Sequence, residues 1–323
     1  MPHALITGGA GFIGSHLSDY LLKHDYTLTL IDNLSTGSID NIKHLENNPN
    51  VRIVIDDIRN TNLTDRFVSE CDIIFHMAAV VGVHKIIEEP INTIETNIGG
   101  TEVLLKAARR YRKKLMLAST SEVYGKGVSF PFKEDDDSLL GPTSKSRWSY
   151  ATSKAIDEFL ALAYHYEAGL PVVLFRLFNT IGPRQTGQYG MVVPRFVQWA
   201  LKNDPIMVYG DGGQSRSFGN VHDIVDAIYR LSLSEEAVGE LFNIGNNQEI
   251  TILELAQLIK ERTGSSSEIQ VIPYEEAYTT PGFEDFRRRV PSIDKIGDTV
   301  GWEPRTNLSE TIDQIIDYYR EKM

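Results

Sequence analysis

The sequence ITGGAGFIG, residues 6–14, joins a short apolar run to a segment with helical spacing of apolar residues. The run is Ala4 to Thr7, and the helical segment is Ser15 to Lys23. Three glycines between them fit the pattern G-x-G-x-x-G. Glycines in this position permit a tight turn, allow the backbone to approach a pyrophosphate, and leave helix N–H groups aimed at it. The stretch therefore predicts a dinucleotide-binding strand-turn-helix unit.

The next apolar strand, Leu28 to Ile31, ends in Asp32. A carboxylate at this distance from the glycine turn can accept hydrogen bonds from the adenosine ribose, and it would repel a 2′-phosphate. We therefore expect NAD rather than NADP as the cofactor. The alternative is that Asp32-Asn33 only caps a helix or forms a turn.

Strand-like and helical segments alternate through the first half of the chain, which predicts a doubly wound parallel sheet. In such sheets, ligands bind outside the carboxyl ends of the strands. His76 lies at such an end, but we interpret it as a packed core histidine. The expected strands are Ala4 to Thr7, Thr27 to Ile31, Val51 to Ile55, Ile73 to His76, Lys114 to Ser119 and Val172 to Arg176.

The composition restricts the partners. The chain has 323 residues, 41% of them hydrophobic, and its 44 acidic and 32 basic residues give a net charge of −12. This charge argues against nucleic acid or an anionic membrane as a partner. No apolar stretch approaches the length of a membrane span, and residues 1–3 lack the pattern of a signal segment, so we expect a cytoplasmic protein. The single Cys71 is expected to be a buried thiol without a catalytic role, and no metal site is expected.

Two motifs whose first residues are 32 positions apart predict a proton-transfer site. ASTSEVYG, residues 118–125, brings hydroxyls and one carboxylate to a strand end, and YATSK, residues 150–154, places a phenol and an ammonium one helical turn apart. Because a neighbouring ammonium and a cationic nicotinamide would stabilise a phenolate, Tyr150 could take a proton from a substrate hydroxyl. Thr120 would bind the same oxygen, and Lys154 would also hold the nicotinamide ribose.

Beyond Asn179 the pattern is less regular. We expect residues 1–179 to form the NAD-binding domain, with 219–246 returning to it, and residues 180–218 and 247–323 to form a substrate-binding domain. A glycine-rich turn presents Arg216, whose guanidinium could clamp a diphosphate or pair with a surface carboxylate. The acidic segment 134–137 is interpreted as a solvated loop. The helical segments Ile91 to Arg112 and Tyr150 to Glu167 could form a homodimer interface or be covered by the sheet.

The chain resembles the extended short-chain dehydrogenase/reductases that modify nucleotide sugars. The similar segments are 7–14, Asp32-Asn33, 76–79, Tyr150-x-x-x-Lys154, 176–179 and 182–184. The resemblance extends over nearly the whole chain. The resemblance implies a Rossmann-like fold with a smaller C-terminal α/β domain, NAD as cofactor, and a nucleotide sugar, UDP-linked, as substrate.

Within that group, the sequence is most similar to UDP-glucuronate decarboxylases at 118–125, 147–150, 282–285, 289–293 and 301–304. Glu122 and Arg289 stand where that family keeps its decarboxylation residues, and Ser121 stands where sugar 4,6-dehydratases carry an aspartate. The loop 80–84 is more similar to sugar 4-epimerases, and Val290 replaces a common lysine. Decarboxylation through a 4-keto sugar is therefore expected. The alternatives are 4-epimerisation, then 4,6-dehydration, and a non-catalytic NAD-binding protein.

The expected site residues form three groups. The catalytic group is Thr120, Ser121, Glu122, Tyr150, Lys154 and Arg289. The cofactor group is Gly8, Gly11, Phe12, Ile13, Gly14, Asp32, Asn33, Ser35, Thr36, Gly37, Asp57, Ile58, Ala78, Ala79, Asn97, Ser119, Tyr150 and Lys154. The substrate group is Asn179, Val193, Tyr209, Arg216 and Arg289.

Overall fold

The main architectural feature is a seven-stranded sheet. A computed structural model describes residues 1–82, 89–188, 190–277 and 287–323. The sheet has the order β11-β6-β5-β4-β1-β2-β3, and every neighbouring pair is parallel. The expected doubly wound parallel sheet is confirmed. Its strands are β1 (His3–Thr7), β2 (Thr27–Asp32), β3 (Val51–Ile55), β4 (Ile73–His76), β5 (Lys114–Thr120), β6 (Val172–Leu177) and β11 (Leu241–Ile244).

Helices cover both faces of this sheet. One face packs against α1 (Phe12–Leu22), α6 (Val221–Leu233) and α9 (Asp294–Val300). The other packs against α2 (Thr61–Glu70), α3 (Pro90–Tyr111) and α4 (Trp148–Ala168). The strands are buried on both sides, as parallel sheets require, and this explains their nearly continuous apolar runs.

A second group of elements has its own hydrophobic core. Helices α5 (Val192–Lys202), α7 (Ile252–Thr263) and α10 (Leu308–Lys322) enclose it. The short helix α8 (Tyr274–Ala277) follows α7 in the sequence. Ile296 of α9 and Trp302, which follows that helix, pack against the main sheet instead. The domain boundaries expected from the sequence stay a prediction. The short strands are β7 (Thr180–Ile181), β8 (Ile206–Tyr209), β9 (Ser215–Ser217), β10 (Gly219–Asn220), β12 (Glu249–Thr251), β13 (Ile269–Ile272) and β14 (Arg288–Arg289).

The acidic segment 134–137 departs from the expectation of a solvated loop. Oε1 of Glu134 accepts a hydrogen bond from the backbone N–H of Asn243 on edge strand β11, at 2.8 Å. The Glu134 carbonyl oxygen accepts another from Nη1 of Arg176 at 3.1 Å. The expectation is therefore wrong at Glu134, because an edge-strand amide and a buried guanidinium both need acceptors.

Two expectations about buried side chains are confirmed. Cys71 is buried at the end of α2, and burial raises the pKa of its thiol to about 12. His76 is 1% exposed and makes hydrogen bonds to Thr7 and Thr101. Among the described residues, no helix combines the length and apolar composition that spanning a bilayer requires.

Candidate active site

The carboxyl ends of the sheet strands and the second core enclose a cavity of about 500 Å³. Its wall on the sheet side is formed by the glycine turn and the ends of β2, β4, β5 and β6. Its opposite wall comes from α5, β8, β9 and β14. The cavity therefore lies where ligands bind in doubly wound sheets, between the two regions of the chain.

Two positions of the glycine turn, Gly8 and Gly14, have no space for a side chain. Gly8 has φ +72°, and a Cβ there would lie 2.8 Å from the backbone nitrogen of Ala78. A Cβ on Gly14 would overlap the carbonyl oxygen of Gly8. Helix α1 begins after Gly11 without a side-chain cap, so the N–H groups of its first turn can bind an anion. The turn thus fits the pyrophosphate of a dinucleotide.

Asp32 is held in place at the end of β2. Its carboxylate accepts hydrogen bonds from the backbone N–H groups of Ala10 at 3.0 Å and Leu34 at 2.8 Å. Burial raises the pKa of Asp32, while these hydrogen bonds lower it. A Cβ on Gly37 would lie 3.0 Å from both carboxylate oxygens, so this glycine leaves space beside them. The arrangement fits a ribose diol.

Four residues of the expected cofactor group do not line the cavity: Gly37, Asp57, Asn97 and Lys154. Asp57 is paired with Arg59, which lowers the pKa of Asp57 to about 2. Asn97 is buried, accepts a hydrogen bond from Val80 N–H and donates one to Ser153 Oγ. The other members of the group lie on the cavity wall, and the sequence interpretation missed Asp56, which lies there as well.

Tyr150 lies in the first turn of α4, against the end of β5. Its hydroxyl forms a hydrogen bond with the side chain of Thr120. Burial raises the pKa of Tyr150, the Glu122 carboxylate raises it further, and the hydrogen bond with Thr120 and the charge of Arg289 lower it. Lys154 lies one turn further along α4, 2% exposed, with its Nζ 2.8 Å from Oδ2 of Asp157. The tyrosine is therefore protonated in the ligand-free site.

Glu122 stands between two arginines. Its Oε1 lies 3.9 Å from Nη2 of Arg147 and 3.7 Å from Nη1 of Arg289. The Arg147 side chain is 4% exposed and that of Arg289 is 11% exposed. Ser121 is buried beside them and also lines the cavity. Among the described residues, two guanidinium groups thus lie within 4 Å of one carboxylate at this end of the cavity.

Arg147, which lines the cavity beside Glu122, was not among the site residues expected from the sequence. It precedes Tyr150 by three residues, so both side chains belong to the same helical face. That spacing is the signal that could have identified it. Arg289 belongs to the basic run 287–289, in which the side chains of Arg287 and Arg288 are 83% and 45% exposed and that of Arg289 is 11% exposed.

The expected substrate residues all line the cavity: Asn179, Val193, Tyr209, Arg216 and Arg289. Arg216 is 7% exposed, so it does not belong to the solvated surface. Arg195, which the sequence interpretation also missed, lines the cavity and donates a hydrogen bond to the Tyr209 hydroxyl at 2.8 Å. Residues 83–84 and 282–285, which contributed to the family resemblance, lie outside the described residues.

Comparison with known proteins identifies the family of this chain. The sequence profile of the GDP-mannose 4,6-dehydratase family matches residues 5–315. The chain belongs to this family of extended short-chain dehydrogenase/reductases. The resemblance inferred from the sequence is thereby confirmed, as is the Rossmann-like fold.

Family members of known activity and structure are similar over almost all of the chain. A UDP-N-acetyl-α-D-glucosaminuronate decarboxylase of Bacillus cytotoxicus is 43% identical over 318 residues, which cover 98% of this chain and 97% of that protein. UDP-glucuronic acid decarboxylase 2 of Arabidopsis thaliana is 36% identical over 99% of this chain and 68% of its own. The Bacillus cereus UDP-glucuronic acid 4-epimerase, solved with UDP-glucuronic acid and NAD, has a TM-score of 0.89 at 28% identity and covers 99% of this chain and 100% of its own.

Proposed function

We propose that this family member is an NAD-dependent decarboxylase of a UDP-linked hexuronate that works through a 4-keto sugar. The observation that carries the proposal is the group formed by Glu122, Arg147 and Arg289 in the same cavity as Thr120 and Tyr150. The threonine and tyrosine suit oxidation of a sugar hydroxyl, which many nucleotide-sugar enzymes require. The two largely buried guanidinium groups beside them suit a substrate that carries a carboxylate.

Oxidation at C4 needs a base at the sugar hydroxyl. NAD, which the glycine turn and Asp32 would hold, would supply the hydride acceptor for C4 and the hydride for later reduction of a ketone. Tyr150 takes the hydroxyl proton, and Thr120 holds the phenol oxygen toward the sugar. Burial opposes ionisation of Tyr150, so positive charge near its oxygen is needed to make the phenolate accessible.

The ketone at C4 is β to a carboxylate on C5, and this relation makes loss of CO₂ possible. The bond from C5 to the carboxyl carbon breaks, its electron pair passes into the C4 carbonyl, and an enolate forms. Protonation at C5 then gives a 4-keto pentose. Arg147 and Arg289 orient the carboxylate, and their charge stabilises the enolate after CO₂ has left. Ser121 can hydrogen-bond the carboxylate, and Glu122 holds the two arginines together before the substrate binds.

The substrate is proposed to be UDP-glucuronate or its 2-acetamido counterpart, because decarboxylases of both kinds are similar to this chain. The second candidate function is 4-epimerisation of a UDP-hexuronate, which the similarity to the Bacillus cereus epimerase favours. In that reaction the 4-keto sugar rotates in the site, hydride returns to the other face of C4, and the carboxylate on C5 is retained.

The two functions differ in the mass of the product. The protein is incubated with NAD and each UDP-hexuronate, and products are identified by mass spectrometry. UDP-glucose, whose sugar carries no charge, is the comparison substrate. Decarboxylation with return of the hydride gives a product lighter by CO₂, and release of the 4-keto pentose gives one lighter by CO₂ and two hydrogens. Tyr150→Phe removes at least 99% of the rate, on the order of the usual contribution of a general base. A product of unchanged mass that separates from the substrate by chromatography would favour the epimerase, and wild-type turnover by Tyr150→Phe would contradict the mechanism.

We further propose that the protein is a homodimer through α3 and α4. These helices pack against each other, yet their outer face exposes Ile91 at 72%, Phe159 at 77% and Tyr166 at 75%. Exposed apolar residues grouped on paired helices are typical of a subunit interface. Phe159→Glu is expected to give a monomer in light scattering, whereas Val128→Glu, at an exposed apolar position outside these helices, should leave the dimer intact. A monomeric wild type would refute this proposal.

A further inference from the structure

A chain of buried polar groups runs behind the catalytic tyrosine. Oγ1 of Thr7, at the end of β1, lies 2.7 Å from Nδ1 of His76, and Nε2 of His76 lies 3.1 Å from Oγ1 of Thr101. The Thr101 side chain interacts with the carboxylate of Asp157, which accepts a hydrogen bond from Nζ of Lys154 at 2.8 Å. All five side chains are no more than 2% exposed.

Asp157 is the member of this chain that packing does not explain. A carboxylate in a fully buried position carries a desolvation cost that an apolar residue would avoid. Its Oδ1 is buried and makes no hydrogen bond of normal geometry among the described residues. Burial raises the pKa of Asp157, and the charge of Glu158 does so too, while Lys154 and Thr101 lower it. The charged partner that stabilises this carboxylate is therefore the Lys154 ammonium.

The charges around Tyr150 show what this pairing does. Besides burial, Glu122 and Asp157 raise the pKa of Tyr150, and Arg289 lowers it. An unpaired ammonium on Lys154 would stabilise the phenolate, but an ammonium 2.8 Å from a carboxylate acts as a dipole, whose potential is much weaker.

His76 does not alter this balance. It is fully buried, and both burial and the nearby Lys154 ammonium hold the pKa of its imidazole well below the ordinary value. It is therefore neutral and contributes hydrogen bonds without charge.

We propose that Asp157 is a positioning residue that holds the Lys154 ammonium in a neutral buried pair and so keeps Tyr150 protonated until positive charge enters the cavity. The ligand-free enzyme then carries no phenolate, and Tyr150 would become a base only when further positive charge, such as that of a bound nicotinamide, lies near its oxygen. This inference rests on the proposed role of Tyr150 as the base for oxidation at C4.

The test is a titration of Tyr150 itself. NAD-loaded protein carrying isotope-labelled tyrosine Cζ is titrated by NMR, and the Tyr150 signal is assigned with Tyr150→Phe. In Asp157→Asn the pKa of Tyr150 is expected to fall by roughly one unit, since one negative charge is lost at constant shape. Thr101→Val is the matched control: it removes a buried polar group from the same chain, lowers the melting temperature, and leaves the Tyr150 titration unchanged.

An unchanged or raised pKa of Tyr150 in Asp157→Asn would overturn the proposal, as would an equal shift in Thr101→Val. If Asp157→Asn does not fold, a second pair of variants gives the same information. Lys154→Met leaves Asp157 unneutralised and should raise the pKa of Tyr150, and adding Asp157→Leu should return it to within about half a unit of wild type. No turnover is needed, so the titration can fail or succeed independently of the proposed decarboxylation.

Discussion

Replacing Arg147 by glutamine tests whether the arginines beside Glu122 serve the substrate carboxylate. The change removes one of the two guanidinium groups that, among the described residues, lie within 4 Å of Oε1 of Glu122, and it leaves Arg289 in place. One positive charge is thereby lost from this end of the cavity. The site would lose part of its electrostatic preference for a hexuronate over an uncharged hexose.

The expected loss follows from the strength of hydrogen bonds to charged groups. Such a bond contributes about 1.5–3 kcal/mol, and each 1.4 kcal/mol corresponds to a factor of ten. The Arg147 side chain is 4% exposed, so solvent screens this interaction little. We therefore expect kcat/KM for the UDP-hexuronate to fall roughly 10- to 150-fold. Binding of UDP-xylose, which lacks the carboxylate, should change by less than about threefold.

The assay compares kcat/KM for the hexuronate with the inhibition constant of UDP-xylose in the same variant. Arg288→Gln is the matched control, because Arg288 lies beside Arg289 in sequence but pairs with Glu249 and is 45% exposed. Arg147→Lys, which keeps the charge, should recover part of the activity. Equal losses for both ligands in Arg147→Gln would show that Arg147 only maintains the fold, and the reasoning would be refuted.

Further predictions concern the glycine turn and one surface ion pair. Gly14→Ala should abolish retention of NAD, because its Cβ would overlap the carbonyl oxygen of Gly8, and NAD retained by this variant would contradict the proposed pyrophosphate site. Gly99→Ala in α3 is the control, because its Cβ would lie an ordinary 3.8 Å from Cδ of Arg59. This second change should stabilise the fold by about 0.5–1 kcal/mol in thermal unfolding. Asp57 has its pKa lowered from 3.8 to about 2 by Arg59, so its stabilisation is present above pH 3.8 and is lost as the pH falls through about 2. Urea unfolding of Asp57→Asn against wild type should show a difference at neutral pH that vanishes in strong acid, and a constant difference would count against the ion pair.

Much of the fold could be predicted because local patterns and tertiary packing agree. The segment Val51 to Ile55 was expected as a strand and has the same bounds in the structure. Residues 73–76 were likewise expected as a strand and form β4. The start of α1 lies three residues earlier than expected, at Phe12, because the glycine turn leads directly into the helix.

The site was less predictable where it depends on residues distant in sequence. Thr120 and Tyr150 come from two motifs, and the parallel sheet was enough to bring them together. Glu134 was misread because its partners, Asn243 and Arg176, lie far along the chain.

The sequence by itself determined the doubly wound sheet, the glycine turn, Asp32 and the tyrosine–lysine motif. Each of these is specified by neighbours within about one strand or one helical turn, where spacing dictates geometry. Only the tertiary structure decided that Arg147 and Arg289, 142 residues apart in number, both lie beside Glu122 and that Lys154 pairs with a buried Asp157. The physical reason is that charge effects depend on distance and burial in space, and a linear pattern records neither.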